Sequence, residues 1–241
     1  MNGKAFRALL WKDFRINRLS LGIVLGVWLG AYVLMLLIPI SPQIEKGIQL
    51  PVRLLQGATA SAVGLVLGAA LLAGSTSAGE RADRTAAFLA YLPPTRRMVW
   101  ASRVVCSLVP TVILFCLSAV VALLVVYHLN RPHYSGPPAM PVICVLAVTI
   151  PLAFGGAWFI GVLSGSPAVA AVSGLALPGL TAIGTGYLSY RLYYHVGETS
   201  AYPGQAMDVH WHTMYLIAAG AIGVLLFAAA SAIYLRSRRE M

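Results

Sequence analysis

Charge is scarce in this sequence. Only 10% of its 241 residues are Asp, Glu, Lys or Arg, against roughly 25% in a soluble globular chain, which needs them to cover its surface. With 59% hydrophobic residues, lipid must solvate most of the surface. Acid is scarcer still: seven Asp and Glu stand against seventeen Lys and Arg, a formal net charge of +10. Such an excess can signal nucleic-acid binding, but its distribution along the chain argues against that partner.

Cysteine is nearly absent. Cys106, Cys116 and Cys144 each sit within an apolar run and behave there as small hydrophobes. No Cys-x-x-Cys or His-x-x-x-His spacing occurs, so neither a disulfide framework nor a zinc site is indicated. Catalytic signatures are missing as well: no Gly-x-Ser-x-Gly elbow, no His-Glu-x-x-His helix and no paired carboxylates within an apolar run. Without a Gly-x-x-x-x-Gly-Lys-Ser/Thr loop, the chain does not bind ATP by that route. It is read as a non-enzyme.

Long apolar runs are what it has. A helix rises about 1.5 Å per residue, so crossing a hydrocarbon core of roughly 30 Å takes about 20 residues. Six runs qualify: 19–40, 57–78, 104–127, 142–163, 168–188 and 213–235. The expected fold is all-α and polytopic. The fourth and fifth runs are joined only by Ser164-Gly165-Ser166-Pro167, which predicts a tight antiparallel hairpin. The first run is long for a signal peptide, and no small-x-small site follows it, so it is read as a membrane anchor.

None of the six runs holds Asp, Glu, Lys, Arg or His. Ion-coupled carriers place such groups near the bilayer midplane, so any energy for transport is expected from outside the chain. Pro110, Pro151 and Pro178-Gly179 could each kink or interrupt a span.

Basic residues set the orientation. Lys4, Arg7, Lys12, Arg15, Arg18, Arg81, Arg84, Arg96, Arg97, Arg103, Arg236, Arg238 and Arg239 fall on one side of this layout. Only Lys46, Arg53, Arg131 and Arg191 fall on the other. Positive charge stays cytoplasmic, which predicts both termini inside.

Residues 1–18 form the first unit and 19–241 the six-span unit, with a cytoplasmic loop at 79–103. In the first unit, Phe6, Leu9, Leu10, Phe14 and Ile16 gather on one side of a helical wheel. Lys4, Arg7, Lys12, Arg15 and Arg18 gather on the other, with Trp11 near the boundary. That is the pattern of an amphipathic helix lying among lipid headgroups. Asp13 breaks the apolar side and needs a partner or an aqueous opening. Arg84 and Arg96 are its candidates.

In the loop, Glu80 and Asp83 open a short helical stretch that suits a positive helix N-terminus. Pro93-Pro94 stop it. Between them lies an apolar patch of Phe88, Leu89, Tyr91 and Leu92, suited to burial in the interface or in a protein groove.

Together, Ala8-Leu9-Leu10-Trp11-Lys12-Asp13-Phe14-Arg15 and the stretch from Glu80 to Arg97 resemble the membrane-spanning permeases of the ATP-binding-cassette exporters, type-2 family. The order in the second stretch is an acidic start, Thr85, an apolar run, Leu92-Pro93 and then basic residues. Arg84 stands where that family usually has Gly. The resemblance implies a permease subunit in the bacterial inner membrane, exporting a hydrophobic or amphipathic substrate. Residues 80–92 would be the coupling helix, with Glu80, Asp83, Arg84, Thr85, Phe88, Leu89, Tyr91 and Leu92 facing a separate ATPase subunit. Two permease chains would line one path. ATP and Mg would be bound by the partner, with no cofactor in this chain. The alternative is a membrane scaffold or assembly factor that anchors ATPase partners.

Three further readings concern the spans and outer face. Ser61, Thr76, Thr181 and Thr185 are candidates to line a substrate path, although hydroxyls also serve ordinary helix packing. Gly64 and Gly68 form a Gly-x-x-x-Gly dimerisation signal. All five histidines, His128, His133, His195, His210 and His212, fall in predicted outer loops. His210 and His212 could share a metal only from extended backbone, and residues 189–212 are expected to form an outer lid.

Overall fold

The computed structural model describes residues 3–38, 46–82, 95–129, 139–196 and 203–236. They form six helices: α1 (Gly3–Leu37), α2 (Lys46–Ala82), α3 (Arg96–Leu129), α4 (Ala139–Ser164), α5 (Pro167–Val196) and α6 (Pro203–Arg236). Each contains a stretch long and apolar enough to cross a bilayer. The all-α, six-span expectation therefore holds at this level.

The helices overrun the apolar runs because hydropathy marks only the part in hydrocarbon. A helix continues wherever its backbone bonds are kept and its polar side chains find solvent or partners. Three boundaries change as a result. Residues 3–18 are not a separate element; they are continuous with the first span in α1. Glu80 lies in the last turn of α2 instead of opening a new helix. Arg96–Arg103 belong to α3, and Arg103 is buried rather than looped. Of the expected coupling residues, Asp83, Arg84, Thr85, Phe88, Leu89, Tyr91 and Leu92 lie outside the described residues.

Pro110, Pro151 and Pro178 do not interrupt α3, α4 or α5. The α4–α5 hairpin matches its sequence. Gly165 takes φ 67°, the left-handed conformation that glycine adopts without a Cβ penalty. Its N–H bonds the Gly161 carbonyl at 3.1 Å. Ser166 then caps α5, its hydroxyl accepting from the Val169 N–H at 3.5 Å, with Pro167 at the first helical position.

Helices α2 and α4 form the centre. The first is flanked by α1 and α3, the second by α5 and α6, and α2 also meets α5. The interior is built from small and polar residues around a few large ones: Ala69, Ala70, Ala73, Ala153 and Ala157 surround Leu65, Leu72 and Trp158. The outside carries Leu19, Ile23, Val33, Ile113, Leu124, Ile183, Ile217 and Val224. This is the distribution of a protein solvated by lipid, where close van der Waals packing of small residues holds helices together. At the α4–α6 crossing a Cβ on Gly155 would strike the Gly223 carbonyl oxygen, and one on Gly223 would sit 2.9 Å from the Leu152 backbone. Gly64 and Gly68 admit Val27 and Val24 of α1. The Gly-x-x-x-Gly pattern thus packs α1 on α2 within one chain.

Candidate functional site

On α1, positions 9, 13 and 17 follow each other at four-residue spacing and share one face. All three side chains are buried, Asp13 and Asn17 at 5% exposure each. Leu9 packs on Met98 and Val99 in the first turn of α3. One turn further along α3, the fully buried Ser102 donates its hydroxyl hydrogen bond to the Asp13 carboxylate. Asn17 donates through Nδ2 to the Asp13 main-chain carbonyl at 2.9 Å. Its Oδ1 accepts from Ser75 Oγ of α2 at 3.2 Å. A continuous polar chain, Ser102–Asp13–Asn17–Ser75, therefore joins α3, α1 and α2.

Burying a carboxylate is costly unless donors satisfy it, and Ser102 meets part of that need. Arg84, one of the two arginines nominated from sequence, lies outside the described residues, and Arg96 is described only as the first residue of α3. A partner among the described residues, Ser102, lies a turn deeper in α3.

Other links gather at the same end of the bundle. Arg103, 4% exposed, sets its guanidinium 5.6 Å from the ring centroid of Tyr234 on α6, a cation–π distance. Ser77 of α2 lies against Gly161 of α4, and Gly74 of α2 lies against the Pro167 carbonyl of α5. All six helices are thus connected where α1 begins, α2 ends and α3 begins.

Phe6 packs beside Leu9, while much of the rest of the segment's described surface faces outward. Arg7, Arg15 and Arg18 are exposed, as are Trp11, Phe14 and Ile16, while Lys12 is half-buried. Lys4 belongs to α1. The side that packs on protein is the one carrying Asp13, not the full apolar stripe seen on the wheel.

Ser61, Thr76, Thr181 and Thr185 are all buried, and each turns its hydroxyl onto its own helix: Ser61 to the Ala58 carbonyl, Thr76 to Leu72, Thr181 to Leu177 and Thr185 to Thr181. Ser61 alone also crosses to another helix, meeting Ser118 Oγ at 2.9 Å, which in turn accepts from Trp28 Nε1 at 2.8 Å. The four do not converge, since Ser61 and Thr76 stand about 22 Å apart along α2. Beside Ser118, a crevice of about 10 Å³ lined by Ala58, Thr59, Ala62 and Phe115 is on the scale of one water.

On the opposite end the expected lid is mostly helix: α5 continues to Val196 and α6 starts at Pro203. His128 belongs to α3, His195 to α5, and His210 and His212 to α6. In a helix, positions two apart point about 200° away from each other, so the extended backbone that metal sharing required is not there. Trp211 instead reaches across to the Ala182 carbonyl at 3.4 Å. Arg53 of α2 donates to the Leu36 carbonyl at the end of α1 at 2.6 Å.

Sequence reading missed Ser102, Asn17, Ser75 and Tyr234. The four-residue spacing of Leu9, Asp13 and Asn17 was the available signal for one of them. No protein-family model matches the chain, and neither a curated protein nor a solved structure is detectably similar to it.

Proposed function

We propose that this polytopic membrane protein is the permease subunit of an ATP-driven exporter, moving a hydrophobic or amphipathic substrate. A separate ATP-binding-cassette subunit binds ATP and Mg and hydrolyses the nucleotide. Two permease chains assemble with it, their termini on the cytoplasmic side of a bacterial inner membrane. The observation that carries this reading is the junction around Asp13. A partner that pushes on the 83–95 connection pushes on the start of α3. Through Ser102 that start is hydrogen-bonded to α1, and through Arg103 it touches α6. A displacement at the connection would reach three helices at once, as coupling to an external engine requires.

The test is purification of the tagged chain from its native membrane in mild detergent. A stoichiometric ATPase, lost on Phe88→Asp with Leu89→Asp, is expected. Recovery of the chain without any ATPase, under conditions that preserve comparable complexes, would overturn the reading.

One observation favours the second reading, a scaffold that anchors ATPase partners. The hydroxyls of Ser61, Thr76, Thr181 and Thr185 all bond helix carbonyls. A scaffold would bind the ATPase without substrate-stimulated turnover.

A further inference from the structure

Opposite the buried Leu9–Asp13–Asn17 face, α1 presents Arg7, Trp11, Phe14, Arg15 and Arg18. At 100° per residue these five fall within a sector of roughly 100°. All are exposed, Trp11 at 67% and Phe14 at 50%. Trp11 and Phe14 stack with ring centroids 6.1 Å apart, so the arginines border an aromatic pair. The acid of α1, Asp13, is on the buried side and does not offset them. Immediately beyond Arg18 the exposed residues become Leu19 and Ile23, which belong in hydrocarbon.

We propose that this face is a docking surface for the phosphate headgroup of an anionic phospholipid. The inference rests on the membrane reading alone and stands or falls separately from the exporter reading. Three features select lipid over other occupants. The first is charge complementarity: arginine forks pair with phosphate oxygens bidentately. The second is the aromatic pair, whose amphipathic rings suit the headgroup level. The third is position. The candidate span in α1 runs Ala5–Leu37, 33 residues, or about 50 Å, against a hydrocarbon core of roughly 30 Å. The excess length places Arg15 and Arg18 at the headgroup layer, and a tilt toward the lipid brings Trp11 down beside them. Arg7, about 16 Å from Arg18 along the axis, is the outermost member and contributes least.

The full-length protein is reconstituted in phosphatidylcholine vesicles containing either brominated phosphatidylglycerol or brominated phosphatidylcholine. The Trp11 emission is isolated by difference from Trp11→Phe. Stronger quenching by the phosphatidylglycerol probe is expected at low ionic strength. The preference should collapse toward one in about 1 M salt, where the Debye length is about 3 Å. Arg18→Gln and Arg15→Gln should each lower it by up to about five-fold, Arg7→Gln by less. Arg15→Lys with Arg18→Lys, which keeps the charge but loses the fork, should lower it by less than Arg15→Gln with Arg18→Gln does. Equal quenching by both lipids in the wild-type protein overturns the proposal without recourse to any variant. So does a preference that survives Arg7→Gln, Arg15→Gln and Arg18→Gln together. Trp11 emission untouched by either lipid would place the face on protein or in water, and overturns it equally.

Discussion

The Ser102 hydroxyl donates to the Asp13 carboxylate across 89 positions of chain, joining the start of α3 to the start of α1. Neither residue has an alternative in water, because both are buried. The bond therefore meets part of the need of an internal carboxylate and ties together the ends at which two helices enter the bundle.

Ser102→Ala should destabilise the protein by about 1–3 kcal/mol, the cost of leaving a buried acceptor short of its donor. Asp13→Ala should cost a similar amount. The double variant should fall short of their sum by about 1–2 kcal/mol, as partners in one hydrogen bond do. Reversible unfolding in mixed micelles measures all three, and strict additivity would show that the two side chains act independently.

Gly155→Ala and Gly223→Ala should each destabilise by about 1–3 kcal/mol, because a Cβ at either position meets backbone of the facing helix and overpacking forces the helices apart. Gly179 and Gly184 have open space around them. Gly→Ala there should change stability by no more than about 0.5 kcal/mol, as surface substitutions usually do. A thermal-shift series in one detergent compares the four.

Gly64→Leu with Gly68→Leu should weaken the α1–α2 contact, since each glycine accommodates a valine of α1. The expected signature is a lower unfolding midpoint with self-association unchanged in dilute micelles. A loss of dimer at constant stability would instead mean that these glycines face a second chain.

Tyr234→Phe should keep the ring beneath Arg103 and with it the cation–π contact. Tyr234→Leu should cost about 1–2 kcal/mol, the range of a desolvated cation–π contact. Equal behaviour of the two variants in equilibrium unfolding would remove the cation–π interaction from the account.

Much of the architecture was legible from runs of residues. Six apolar stretches predicted six helices, and Gly165-Ser166-Pro167 predicted where α4 turns into α5. The junction was less so. Asp13 stood out as a charge on an apolar face, yet nothing near it in sequence names Ser102. A hydroxyl in Trp100-Ala101-Ser102-Arg103 looks like any interfacial serine. Arg103 read as a loop cation because a charge beside an apolar run normally marks its end; buried against Tyr234, it is part of the helix instead. Gly64 and Gly68 were visible as a pattern, but a pattern of small residues does not say which helix it admits.

The sequence by itself determined that this chain is helical and apolar outside, since a backbone in lipid must satisfy its own hydrogen bonds and a hydrocarbon surface admits few charges. The tertiary structure decided which face of each helix turns inward. Periodicity separates apolar from polar faces, but in lipid both the exterior and much of the interior are apolar. What sorts them is close contact between small residues and the pairing of buried polar groups, as Gly155 with Gly223 and Asp13 with Ser102 show. Such pairing depends on residues far apart in the chain.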